Sequence, residues 1–175
     1  LYTHVFAQAE YGVVTYLYSL VALLLIILTY GLETGFFRFA NHEKYKDPMR
    51  VYTTGLISLA VTSTLFVVLV WIFLGSISSV LGSSGDSRYV MMLAVTLAID
   101  AFTSLPFAYL RYKQRPLRFA GIKLLSIFLN IGLNLFFIVL CPVWYTTHPE
   151  WVGRFYDPDF GVGYIFLSNL IASAV

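Results

Sequence analysis

The sequence predicts an all-α integral membrane protein, a bundle of four full transmembrane helices and a truncated fifth. Three observations predict it. Apolar residues make up 59% of the 175 positions and charged residues 11%, whereas soluble domains carry about a quarter charged residues. Four apolar stretches, over residues 11–39, 51–77, 89–112 and 117–145, are each long enough to cross a hydrocarbon layer about 30 Å thick at about 1.5 Å per residue. The polar connections between them alternate in charge, which is what a chain threading a bilayer requires.

The first span has an uninterrupted apolar heart at 21–28, and Thr15, Ser19, Ala22, Ile26, Thr29 and Glu33 recur along one side at steps of four and three. Gly31 and Gly35 form a small-xxx-small pair at its end, which allows close approach of a neighbour. A polar connection with His42, Glu43, Lys44, Lys46 and Asp47 follows, and Pro48 suits the first residues of the next helix. The span 51–77 is rich in β-branched residues, but its length between charged flanks favours helix over strand. Gly82, Ser83, Ser84, Gly85 and Asp86 read as a turn. The span 89–112 contains Pro106, a kink that neighbours or water must satisfy. After a short turn Pro116 opens the fourth span, on which Lys123, Ser126, Asn130 and Asn134 form a polar stripe. Pro142, Trp144 and Tyr145 mark a membrane interface. Residues 146–160 read as an interfacial loop, and 162–175, with Ser168 and Asn169, as a fifth span too short to cross. The chain opens on Leu1 and stops inside an apolar run, so the expectation is a single transmembrane domain, 1–175, cut from a longer polypeptide.

Nine of the eleven Lys and Arg residues fall in two connections: Arg38, Lys44, Lys46 and Arg50, then Arg111, Lys113, Arg115, Arg118 and Lys123. The positive-inside rule puts both in the cytoplasm, and the Gly82 and Thr146 connections outside.

Asp100 lies eleven residues from Tyr89 and eleven from Arg111, roughly 16 Å from each along a helix. It therefore sits near the midplane, where a carboxylate costs some kcal/mol unless it faces protein, water or a partner. Thr96, Thr103 and Ser104 stand at i−4, i+3 and i+4, so the sequence predicts an inward polar face. One reading makes Asp100 a structural carboxylate; the other places it in a substrate or ion pathway. Glu33 carries the same two readings at the cytoplasmic interface, poorly placed to neutralise Arg38 because five residues turn it roughly 140° away. Asn130 and Asn134 are either glue between helices or groups lining a cavity. Arg111, Lys113, Arg115 and Arg118 are orientation signals or contacts to anionic headgroups, for which the guanidinium fork is suited.

Other chemistry finds little footing. The single cysteine, Cys141, excludes an internal disulfide. A metal site from His148, Glu150, Asp157 and Asp159 matches no ligand spacing. No triad or phosphate-loop pattern includes His4, His42 or His148, so the expectation is no enzyme, no metal and no cofactor. A net charge of +2 gives nucleic acid no support.

The segments Tyr11-Gly12-Val13-Val14 and Tyr30-Gly31-Leu32-Glu33-Thr34-Gly35-Phe36-Phe37-Arg38-Phe39, with Leu110-Arg111 and Arg115-Pro116 before the next helix, resemble the bacterial polysaccharide-biosynthesis membrane proteins. These are the Wzx-like oligosaccharide flippases of the multidrug/oligosaccharidyl-lipid/polysaccharide exporter superfamily. The resemblance covers essentially the whole chain. It implies most of the amino-terminal lobe of a two-lobed, MATE-like transporter in the bacterial inner membrane, multi-pass, moving an undecaprenyl-pyrophosphate-linked oligosaccharide repeat unit by alternating access for O-antigen or capsule synthesis. Cationic residues of the kind such cavities use are not evident at mid-membrane. The alternatives are a cation-coupled multidrug exporter of the same superfamily, with a proton or sodium ion at Asp100, a membrane-embedded polysaccharide polymerase or transferase, and a structural subunit.

The topology is testable with single cysteines at positions 113 and 150 in a background lacking Cys141. An impermeant maleimide applied to intact cells is expected to label position 150 and spare 113; the reverse pattern would overturn the orientation.

Overall fold

The computed structural model of the chain describes residues 8–41, 47–81, 86–147, 150, 153, 156–157 and 160–175. The expected turns at 42–46 and 82–85, His4, and most of the 146–160 loop, including His148, Trp151 and Asp159, lie outside the described residues. Every regular element among the described residues is helical: α1 Gln8–Thr29, α2 Leu32–Ala40, α3 Pro48–Ile72, α4 Leu74–Leu81, α5 Ser87–Tyr112, α6 Pro116–Leu135, a π-helical stretch Phe136–Leu140, α7 Cys141–Thr147 and α8 Gly163–Ser173. Four stretches are long and apolar enough to cross a membrane: Val14–Ala40, Pro48–Ile72, Ser87–Tyr112 and Pro116–Tyr145. The chain is a multi-pass, all-α membrane protein.

The helices differ from the predicted spans in three places. The span 11–39 is two helices, because Tyr30 (φ 33°) and Gly31 (φ 71°) both take left-handed backbone. Glycine adopts that conformation without penalty, and a tyrosine there is strained. The Tyr30 hydroxyl is held by a hydrogen bond with Ser58 on α3, and Gly35 N–H restarts the ladder on Gly31 O at 3.0 Å. The span 51–77 is likewise interrupted, at Phe73. In α4 the Ser78 and Ser79 hydroxyls bond the carbonyls of Gly75 and Ser76, the local competition that weakens serine as a helix former. The span 117–145 widens into a π-helix at 136–140, where Cys141 N–H reaches back to Phe136 O. Pro142 follows at once and has no N–H to donate, so the wider turn falls where the ladder is already incomplete.

The helix starts follow their sequence signals. Asp47 accepts from Met49 N–H at 3.0 Å and Pro48 takes the first position of α3. Asp86 caps α5 through Arg88 N–H at 2.9 Å, and the Arg88 guanidinium hydrogen-bonded to Asp86 holds that carboxyl below its usual range. Helix α5 then runs unbroken through Pro106, whose ring denies the Phe102 carbonyl its usual partner.

Helix α5 is the centre of the bundle and packs against α1, α2, α3, α4, α6 and α8. Of its most apolar stretch 39% is buried, against 6%, 11% and 17% for the other spans. Ala94, Ala98, Ala101 and Ala108 are buried along it, small side chains that let neighbouring backbones come close. Two apolar clusters share the helix. Leu93 joins Val14, Leu17, Ile138, Val162, Ile165 and Phe166; Leu105 and Ala108 join Phe36, Ala40 and Leu59. Elsewhere large apolar side chains such as Ile26, Ile27, Val61, Leu65 and Trp71 stand exposed, the surface a hydrocarbon solvent covers.

Gly55 marks a close crossing of α3 on α5: a Cβ there would stand 2.8 Å from Leu105 Cδ2. Gly55→Ala needs only a shift of that flexible side-chain end, and is expected to melt close to the parent. Gly55→Val should cost about 1–3 kcal/mol by overpacking, read as a lower melting temperature in detergent. An unchanged melt for the valine variant would contradict the close packing of α3 on α5.

Candidate functional site

A cavity of about 620 Å³ opens between α5, α6 and α8. Its polar lining is Asp100 and Thr103 from α5, Lys123, Ser126 and Asn130 from α6, and Asn169 and Ser173 from α8. Sequence spacing explains why each helix offers these groups together. Asp100 and Thr103 stand at i, i+3, Lys123, Ser126 and Asn130 at i, i+3, i+7, and Asn169 and Ser173 at i, i+4, each set on one face. Asp100 sits on α5 between the two apolar clusters, since Leu93 belongs to one and Leu105 to the other.

The hydroxyls expected to surround Asp100 turn out to serve their own helix. Thr96 donates to Met92 O at 2.8 Å, Thr103 to Ile99 O at 2.9 Å, and Ser104 to Ala101 O at 2.7 Å. Each donor is thereby spent on backbone, the habit of Ser and Thr inside helices. The side chains that share the cavity wall with Asp100 from the neighbouring helices include Ser173 of α8 and Lys123 of α6. Thr96 is buried, and neither it nor Ser104 lines the cavity.

The asparagines form a short relay. Asn134 Nδ2 donates to Asn130 O at 2.8 Å and to Asn130 Oδ1 at 2.7 Å, and Asn130 Nδ2 donates to Asn169 Oδ1 at 3.1 Å. Asn130 faces the cavity, while Asn134 is buried behind it as a support whose Oδ1 has no hydrogen-bond partner. The relay therefore holds the cavity amides in one orientation, with the further N–H groups of Asn130 and Asn169 left for a guest.

Glu33 lies elsewhere. Its Oε1 accepts from Arg111 Nη2 at 2.7 Å, tying α2 to the end of α5. The Arg111 guanidinium also lies over the rings of Phe37 at 5.9 Å and Phe119 at 5.5 Å. Glu33 and Arg111 are thus brought to each other and not to the cavity. Of the other expected headgroup contacts, Lys113 lies over the Tyr109 ring at 5.5 Å, and Arg115 and Arg118 are exposed.

The cation that reaches the cavity is one the sequence assigned to the connection. Lys123 Nζ lies 4.5 Å from the centroid of the Phe107 ring and lines the cavity with Asp100. It stands on the polar stripe that the sequence places on the fourth span, short of mid-membrane. Lys123 is seven residues beyond Pro116, about 10 Å along the helix, and grouping it with Arg111–Arg118 by sequence proximity hid that depth. Its place in the stripe with Ser126 and Asn130 was the available signal. A second cavity of about 410 Å³, on the α3 side of α5, holds Ser63 and Thr64 and shares Ile99 and Phe102 with the first.

Comparison with known proteins adds one finding. A family model described as polysaccharide biosynthesis protein matches residues 5–145. Searches of curated proteins and of solved structures return no match.

The Glu33–Arg111 bond is open to a double-mutant cycle. Both side chains are 41% exposed, so their coupling should be small, about 0.2–1 kcal/mol, and weaker at high salt. Glu33→Gln and Arg111→Gln, alone and combined, are to be compared by thermal unfolding in detergent at low and high salt. A coupling unaffected by salt would contradict an exposed pair.

Proposed function

The chain belongs to the polysaccharide biosynthesis protein family, and from that premise we propose that it forms part of a flippase carrying a lipid-linked oligosaccharide across the bacterial inner membrane. The observation that carries the reading is the polar cavity among membrane-spanning helices. Hydroxyls, amides, one carboxylate and one ammonium converge on about 620 Å³, which is recognition chemistry for a polyhydroxylated guest. A sugar dragged through hydrocarbon must exchange its water for such partners, and an unpaired polar group there costs several kcal/mol.

In this reading the Arg111 end faces the cytoplasm, where the positive-inside rule puts it. Arg115 and Arg118, exposed at that end, are then available to anionic headgroups, while Arg111 is committed to Glu33. Alternating access would open the cavity first to one side and then to the other. The protein acts here as a transporter and not as an enzyme. Asp100 supports a coupling role for a proton or a sodium ion, since intramembrane carboxylates mark such pathways.

Two substitutions separate coupling from structure. Asp100→Asn keeps shape and hydrogen bonding and removes the charge; it should leave abundance normal and abolish the dependence of translocation on an imposed proton or sodium gradient in sealed vesicles. Asp100→Leu leaves the polar groups that share its cavity wall facing an apolar side chain and should lower stability by about 1–3 kcal/mol. Parent-like gradient dependence in Asp100→Asn would end the coupling role.

A further inference from the structure

We propose that the crevice between α1, α3, α4 and α5 is a lipid site that takes one acyl chain of a phospholipid from the surrounding bilayer. It shares no described residue with the polar cavity, so the proposal stands apart from the transport reading. The crevice holds about 270 Å³, and all twelve described side chains that line it are apolar. Its floor is the α5 face of Val90, Leu93, Ala94 and Leu97. Leu17 and Leu24 of α1 line one side, and Phe66 of α3 with Ile77 and Leu81 of α4 the other.

Size and chemistry narrow the occupant. Water needs polar partners, and these side chains offer none. An empty crevice is also costly, because its lining atoms lose their dispersion contacts; an apolar cavity of about 150 Å³ already takes benzene. From Val90 to Leu97 the floor runs about 10 Å, and 270 Å³ over that length leaves a cross-section of about 27 Å². A helix with its side chains is about 10 Å across and cannot enter. A hydrocarbon chain, whose carbons stand about 4 Å from their neighbours, fits singly.

The crevice is continuous with the surface that meets the bilayer. Leu24 at its rim is 39% exposed, and Leu23 and Ile27 of α1 and Leu69 and Phe73 at the end of α3 are exposed beside it. Its depth is that of one leaflet. Val90 stands three residues and Leu97 ten residues from Ser87, the start of α5, about 5 and 15 Å along the helix, and half of the hydrocarbon layer is about 15 Å. A chain lying there runs alongside the chains of the leaflet at the Tyr89 end.

The site also gives α4 a partner. That helix has eight residues, none of them buried, and a helix so short is marginal without tertiary packing. Ile77 and Leu81 line the crevice, so an acyl chain there adds apolar contact between α4 and α1.

The test uses the full chain purified in detergent and stripped of lipid. It is then given dimyristoylphosphatidylcholine or, as a headgroup without chains, glycerophosphocholine. The phospholipid is expected to raise the melting temperature and to slow amide hydrogen exchange at 74–81, and glycerophosphocholine to do neither. Ala94→Leu, which fills the floor, should bind the phospholipid about tenfold less tightly by native mass spectrometry, a difference of about 1.4 kcal/mol, and lose both responses. Leu24→Trp, at the exposed rim, leaves the core unaltered and should weaken binding likewise. A phospholipid response of parent size in folded Ala94→Leu or in Leu24→Trp overturns the site, as does a parent that gains nothing from the phospholipid. A melting temperature that rises with protein concentration instead of phospholipid assigns the crevice to a second copy and overturns the proposal as well.

Discussion

A carboxylate in the middle of a membrane-spanning helix constrains everything packed around it. Asp100 cannot face lipid without a cost of some kcal/mol, so the helix that carries it has to be enclosed, and α5 is the most buried span of the chain. Enclosure on several sides requires small side chains at the crossings. Ala101 and Ala108 are fully buried, and Gly55 of α3 leaves just enough room for Leu105. The two apolar clusters lie toward opposite ends of α5 and leave its middle to polar groups. The core is therefore divided because the central helix carries a charge at its midpoint.

Aromatic rings recur as partners of the cations at this end of the bundle. Arg111 lies over Phe37 and Phe119, Lys123 over Phe107, and Lys113 over Tyr109. All three cations are exposed, so each ring contact contributes at the surface end of the cation–π range, about 0.5–1 kcal/mol. The arrangement also follows from composition, since aromatic residues make up 18% of the chain. The Phe36, Tyr52, Tyr109 and Tyr112 rings pack the inside of this same end, so one set of side chains serves both core and charge.

Much of the architecture was legible because hydrophobic runs and charged flanks report membrane spans directly. Asp100, Thr103 and Asn130 were legible as cavity residues because polar side chains repeat there at helical spacing within apolar runs. Other features were not legible there. Thr96 and Ser104 share a face with Asp100, but spacing cannot tell whether a hydroxyl donates across a gap or back to its own helix, and both bond their own backbone. Asn169 and Ser173 belong to a helix too short to be read as a span, and their meeting with Asn130 and Asp100 is a tertiary event separated by 39 residues in the first case. Lys123 was read both with the cations nearest in sequence and on the polar stripe of the fourth span, and the packing of α6 against α5 adds its place beside Phe107. The break at Tyr30 and Gly31 was hidden for a related reason: a glycine in an apolar run reads equally as a packing residue or as a left-handed stop.

The two acidic residues of the spans, Glu33 and Asp100, look alike in the sequence and differ sharply in consequence. Glu33 meets a guanidinium at 2.7 Å, but both partners are 41% exposed, so screening and side-chain entropy hold the net contribution to about 1 kcal/mol or less. Asp100 meets no cation in ion-pair contact among the described residues, and lies within a span whose neighbours enclose it. A carboxylate so placed is costlier to keep than a neutral residue of the same size. The short ion pair is thus the expected way to settle a charge at a helix end, and needs no function to account for it. Asp100 instead lines a cavity of about 620 Å³ together with Lys123 of α6, and under the proposed transport reading that cavity is what gives the carboxylate a use.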